Sequence, residues 1–128
     1  MRKLLIIAGV PVDDMSLPEV LDQVQEFIRL KTPHQIATVN ADFVLKARDD
    51  PELRHILNRA DILTPDGMPL IWGARLLGVN LKGRVTGADL VPALAERGAR
   101  LGWRFFFLGG RPGIPERAAQ NMAARYPG

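Results

Sequence analysis

The chain has 128 residues and a mass of 14.1 kDa, which fits one domain, residues 1–128, since domains commonly hold about 100 to 200 residues. With 47% apolar and 24% charged residues and no cysteine, disorder, disulfides, thiolate metal sites and thiol nucleophiles are excluded. The net charge of +3, from 13 Arg and 4 Lys against 14 acids, is scattered without interleaved aromatics; this argues against nucleic acid and suits a phosphate-bearing small molecule or an anionic membrane surface.

Met1-Arg2-Lys3 followed by Leu4 to Val12 imitates a signal peptide, but the apolar stretch runs into Asp13-Asp14 without a small-residue cleavage pattern. Leu4 to Val10 therefore reads as a first strand buried on both faces. Ser16 opens a helix, with Glu19 completing a capping box and Leu17, Val20, Leu21, Val24, Phe27 and Ile28 forming one stripe. Thr32-Pro33 ends it, Gln35 to Val39 forms the second strand, and a helical segment with Phe43, Val44 and Ala47 follows at once.

Asp50-Pro51 is a helix cap followed by a first-turn proline, and Leu53, Ile56, Leu57 and Ala60 line the face of that helix. Ile62 to Thr64 is a short strand. Met68 to Leu77 is nearly all apolar and reads as a core helix, with a self-association face around Trp72 as the alternative. Pro92 places the start of the next regular helix near Asp89, leaving Arg84 to Ala88 as a lead-in loop free to bind a ligand. Trp103 to Leu108 is the last strand, and Pro115 starts a final helix with Ala118, Ala119, Met122 and Ala123 on one face.

Strands alternating with helices give an α/β class, a Rossmann-like parallel sheet flanked by helices. The chain stops at Tyr126-Pro127-Gly128, just after a helix, where this pattern would supply another strand. The expectation is a domain truncated on its C-terminal side.

Open α/β sheets bind ligands beyond the carboxyl ends of their strands. Two polar side chains stand at such ends, Thr38 in Ala37-Thr38-Val39-Asn40 and Asp66 in Thr64-Pro65-Asp66-Gly67. If the two strands are parallel neighbours, a hydroxyl and a carboxylate converge, and Asp66 can act as general base toward a sugar hydroxyl. Pro-Asp-Gly is also ordinary turn chemistry, and Thr38 and Asn40 can equally satisfy strand-end backbone groups. Arg84, in Arg84-Val85-Thr86-Gly87-Ala88-Asp89, is a candidate phosphate clamp beside a helix start; Thr86 and Asp89 as plain caps are the alternative. The strand Phe105-Phe106-Phe107-Leu108 runs into Gly109-Gly110, where backbone amides can approach a nucleotide, although a tight connection accounts for the glycines as well.

Asp13-Asp14 and Asp49-Asp50 lack the Asp-x-Asp spacing of metal-dependent sugar transferases and read as a solvated turn and a cap. His34 and His55 are isolated in the sequence, so no zinc site is expected. The absence of a G-x-G-x-x-G turn after the first strand argues against a dinucleotide-dependent oxidoreductase.

Taken together, four ordered motifs resemble the WecG/TagA/CpsF family, glycosyltransferase family 26: Thr38-Val39-Asn40-Ala41-Asp42-Phe43, Ala60 to Gly67, Arg84 to Leu90, and Phe107-Leu108-Gly109-Gly110. The resemblance implies an inverting, metal-independent enzyme that moves N-acetylmannosamine, its uronic acid or a related hexose from a UDP-sugar to a polyprenyl-diphosphate-linked acceptor. Cell-surface polysaccharide or teichoic acid synthesis at the inner face of the plasma membrane would be the setting. It implies Asp66 as base and Thr38 as a catalytic-pocket contact. The substrate-binding set would be Asn40, Gly67, Arg84, Thr86, Gly87, Asp89, Gly109 and Gly110, with no cofactor beyond the UDP-sugar substrate. Family members continue past this end point into a basic appendage thought to touch the membrane. The competing expectation is a non-catalytic nucleotide-binding module, or one that assembles as a homo-oligomer.

Overall fold

The structure, a computed structural model, describes residues 4–128; Met1-Arg2-Lys3, the charged start of the signal-peptide-like pattern, lies outside the described residues. Two compact units follow one another along the chain, the first ending at Gly87 and the second running Ala88–Gly128. The first holds strands β1 (Leu4–Ile7), β2 (Val10–Asp13), β3 (Ile36–Val39) and β4 (Ile62–Pro65), with helices α1 (Leu17–Leu30), α2 (Ala41–Asp49), α3 (Pro51–Arg59) and α4 (Met68–Leu76). Helices α5 (Gly87–Leu101) and α6 (Ile114–Arg125) follow.

The single strand expected from Leu4 to Val10 is instead the start of a hairpin. β1 and β2 pair antiparallel with Ile7 opposite Val10. The two-residue turn Ala8-Gly9 has φ of 50° and 82°, the double positive φ of a primed turn that matches strand twist. Every residue of β2 is buried, whereas β1 alternates, with Leu4 and Ile6 exposed. β1 is thus a half-covered edge, not an interior strand.

β3 and β4 form the parallel pair, with Ile36 opposite Ile62 and Thr38 opposite Thr64, and the α2–α3 segment makes the crossover between them. This mixed α/β arrangement, a parallel sheet flanked by helices, is the expected Rossmann-like class. Its core gathers Val10, Val39, Val44, Ala47, Leu57, Ala60, Leu63 and Leu70, one contribution or more from each of β2, β3, β4, α2, α3 and α4. Leu63 is fully buried; truncating such a residue to alanine typically costs about 2–5 kcal/mol.

Helix α1 starts as the sequence predicts. Ser16 and Glu19 close a reciprocal capping box, and Lys31 ends the helix in the left-handed region at φ 57°. Asp50 caps α3 by accepting from the Leu53 amide at 3.1 Å, with Pro51 in the first turn. Helix α4 departs from the expected core helix: Leu70, Ile71 and Ala74 are buried, but Trp72, Leu76 and Leu77 face outward. An apolar sequence on all sides does not create neighbours on all sides.

In the second unit, Trp103 to Leu108 is not a strand, correcting the expectation of a last β-strand there. An apolar run becomes a strand only where a neighbouring backbone accepts its hydrogen bonds. Phe106 and Leu108 are 88% and 91% exposed. The other side of the run turns back on α5, where a Cβ placed on Gly98 would lie 2.7 Å from the Phe105 ring. That glycine admits the aromatic ring against the helix. Helix α5 begins at Gly87, two residues ahead of the expected start, and carries Pro92 inside it. At the sixth position of the helix, Pro92 gives up its own bond to the Ala88 carbonyl and its ring crowds that carbonyl, a local cost that the helix carries in its second turn.

Candidate active site

Parallel pairing brings the C-terminal ends of β3 and β4 to one rim. The ladder continues one residue further, because the Asp66 amide donates to the Val39 carbonyl at 2.8 Å. Gly67 then turns with φ 117° and caps α4, a conformation that side chains rarely adopt. Asp66 is half-buried at that turn, and its Oδ2 accepts a long hydrogen bond, 3.5 Å, from the Gly87 amide. Thr38 reaches the same spot from β3: its Oγ1 lies 3.9 Å from where a Cβ on Gly87 would stand. The hydroxyl of Thr38, the carboxylate of Asp66 and the first amide of α5 therefore meet at one place.

Asn40 is engaged otherwise. Its side-chain oxygen accepts from the Phe43 amide at 2.9 Å and caps α2, the plainer of its two expected roles. Arg84 to Ala88 is not the free lead-in loop expected. Val85 is 2% exposed; its amide donates to the Pro65 carbonyl at 2.9 Å, and its carbonyl accepts from the Thr64 hydroxyl at 2.9 Å. This anchored segment holds Arg84 exposed on one side and leads through half-buried Thr86 into Gly87 on the other. Asp89 lies in the first turn of α5.

The sequence model of the glycosyl transferase WecG/TagA/CpsF family matches residues 5–128. The chain belongs to that family. It is similar to an N-acetylglucosaminyldiphosphoundecaprenol N-acetyl-beta-D-mannosaminyltransferase of Bacillus spizizenii, 27% identical over 93 residues, covering 73% of this chain and 36% of that enzyme. The chain thus spans about a third of the length of the curated relative it matches.

In this family member a cleft of about 850 Å³ lies away from the rim just described. It opens at the other end of β4, beside Ala60, Asp61 and Ile62, and is lined by Asp13, Asp14, Glu19 and Asp22 with only Arg59 and Lys82 as cations. A wall so rich in carboxylates repels an anionic ligand, whereas the exposed Arg84 precedes Val85, whose amide is bonded to Pro65 at the far end of β4. No group of three or more His, Asp or Glu side chains is arranged to hold a metal ion among the described residues.

Within the cleft wall, Asp13 corrects the reading of a solvated turn. It is fully buried at the end of β2, and its Oδ2 accepts from the Leu63 amide at 2.7 Å. The Asp14 carboxylate accepts from the Lys82 amide at 2.8 Å. Across the cleft mouth, the Lys82 ammonium donates to Glu19 at 2.7 Å. Hydrogen bonds from Lys82 first and Ser16 second hold the Glu19 carboxyl at a pKa of about 2, below the usual 4.5, and the same Glu19 contact raises Lys82. His34 is structural: its ring stacks on Phe27 at 3.8 Å and its Nδ1 lies 3.1 Å from Asp61.

Gly109 and Gly110 belong to the second unit, exposed, with φ of 109° and 78°. Sequence reasoning missed Thr64 and Asp13. A threonine flanked by Leu63 and Pro65 in a buried strand, and an aspartate closing a fully apolar one, were the available signals.

Proposed function

We propose that this chain provides the donor-side portion of an inverting hexosyltransferase. The enzyme would transfer N-acetylmannosamine, its uronic acid or a related hexose from a UDP-sugar to a polyprenyl-diphosphate-linked acceptor sugar. The observation that carries the proposal is the meeting of Thr38, Asp66 and the Gly87 amide at one strand-end rim in a member of a glycosyl transferase family. The relative's name, which specifies an acetylmannosaminyl group and a diphosphoundecaprenol-linked acceptor, supports the sugar and acceptor class.

In the reaction, the Asp66 carboxylate takes the proton of the acceptor hydroxyl as that oxygen bonds to the anomeric carbon of the donor. The bond from that carbon to the UDP oxygen breaks on the opposite face, so one displacement inverts the configuration. Arg84 and the amides at the start of α5 stabilise the charge developing on the leaving diphosphate. Thr38 orients the reacting sugar, Asn40 and Gly67 border it, and Thr86 continues the diphosphate side. The leaving charge is assigned to protein groups, without a metal.

No helix among the described residues is long and apolar enough to cross a membrane. A polyprenyl-linked acceptor would bring the enzyme to the cytoplasmic membrane surface as a peripheral protein. The exposed face of α4, with Trp72, Leu76 and Leu77, supports self-association as an accompanying property. The test is a panel of UDP-sugars offered with a lipid-diphosphate acceptor to the full protein, with and without EDTA. Chelator-insensitive transfer of an N-acetylmannosamine-type sugar is expected; no transfer from any UDP-sugar would leave the nucleotide-binding alternative.

A further inference from the structure

We infer that Thr64 is a positioning residue that aligns the Arg84–Gly87 segment with Asp66, an inference that rests on the proposed transferase reading. Thr64 occupies a fully buried position in β4, where Val or Ile would pack as well without burying a hydroxyl. A buried hydroxyl is tolerated only when it is hydrogen-bonded, and this one donates to the Val85 carbonyl at 2.9 Å. The next residue, Pro65, accepts from the Val85 amide at 2.9 Å. Two consecutive residues of β4 thus grip both polar groups of one residue.

The number of bonds matters for geometry. One hydrogen bond would leave Val85 free to pivot about it; two fix the orientation of its backbone. The groups that benefit stand immediately on either side, Arg84 one residue before and the Gly87 amide two residues after. At no more than about 3.6 Å per residue, a pivot at Val85 moves them by ångströms, and a misplacement of about 1 Å in a reacting site can cost about 100-fold in rate. Thr64 also shares a strand face with Asp66, two residues on. A single element therefore presents the carboxylate and holds the amide it accepts from, at 3.5 Å.

The experiment compares Thr64→Val, Thr64→Ser and Asp66→Asn in the full protein, reading transfer kinetics together with amide exchange from Val85 to Gly87. The expected result is that Thr64→Val, which keeps shape and loses the hydroxyl, lowers kcat about 10- to 100-fold, while Thr64→Ser stays within about threefold of wild type. Exchange at Val85, Thr86 and Gly87 should rise in Thr64→Val while that of Leu63 stays slow. Equal rates for Thr64→Val and wild type, or equal losses in the Val and Ser variants, would overturn the inference. If Thr64→Val does not fold, the wild-type protein still decides: a Val85 amide exchanging much faster than Leu63 would show that no clamp exists. Absence of transfer by the wild-type protein would instead sink the transferase reading, full activity in Asp66→Asn would remove Asp66 as its base, and in either case the exchange data would still report on the clamp.

Discussion

Replacing Asp13 with alanine tests whether the first unit depends on a buried carboxylate rather than on apolar packing alone. Asp13 is fully buried and its Oδ2 takes the Leu63 amide proton at 2.7 Å, joining the end of β2 to β4 where no backbone ladder connects them. A hydrogen bond to a charged group is worth about 1.5–3 kcal/mol, and leaving a buried amide unsatisfied costs about 1–3 kcal/mol. These figures overlap, since both count the same lost bond. The expected loss for Asp13→Ala is therefore about 2–4 kcal/mol, whereas Asp13→Asn keeps an acceptor oxygen and should lose about 1 kcal/mol. Urea unfolding of this chain would read the difference: with a slope of about 2 kcal/mol per molar, the alanine midpoint falls by about 1–2 M. Amide exchange at Leu63 should accelerate in the same variant. An alanine variant within about 0.5 kcal/mol of wild type, with Leu63 equally protected, would refute the reasoning.

Two further perturbations separate folding from function. A methyl group on Gly87 would meet only the Thr38 hydroxyl, at 3.9 Å, so Gly87→Ala should melt within a few degrees of wild type yet transfer sugar about tenfold more slowly by crowding the reacting space; unchanged kinetics would remove Gly87 from the site. The exposed Glu19–Lys82 pair gives a pH signature. Because the folded Glu19 pKa is depressed to about 2 from 4.5, its contribution is present above about pH 4.5 and is lost as pH falls toward about 2. On the alkaline side the raised pKa of Lys82 keeps the pair until pH passes its usual 10.5. Glu19→Gln should lower the melting temperature most near neutral pH and least near pH 2, with salt shrinking the gap. A gap that stays constant with pH would contradict the assignment.

Much of this was legible in the residues because local chemistry decided it. Ser16 and Glu19 form a capping box wherever a helix follows, Asp50-Pro51 starts one, and the runs ending at Val39 and Pro65 are β-rich and flanked by helices, so a parallel pair was the economical topology. Convergence of Thr38 and Asp66 followed from that pairing. The hairpin at Ala8-Gly9 was hidden because both flanks are apolar, and periodicity cannot reveal a two-residue turn within a continuous run. Asp13 and Thr64 were hidden for the opposite reason. A polar side chain beside apolar neighbours reads as a boundary, and only coordinates show that its partner is a backbone group 50 residues away for Asp13 or 21 away for Thr64. Trp103 to Leu108 failed as a strand because β-propensity describes a side chain's fit to a sheet, and the sheet itself has to come from elsewhere.

The most direct measurement is the single-turnover transfer rate of Asp66→Asn in the full protein, with a UDP-activated N-acetylmannosamine donor and a lipid-diphosphate acceptor, after thermal melting has established that the variant is folded. Asparagine keeps the size of the side chain and its capacity to accept from the Gly87 amide, but it cannot take a proton. The account predicts a loss of about 100-fold or more with donor binding retained. Transfer at the wild-type rate by the folded variant would contradict it.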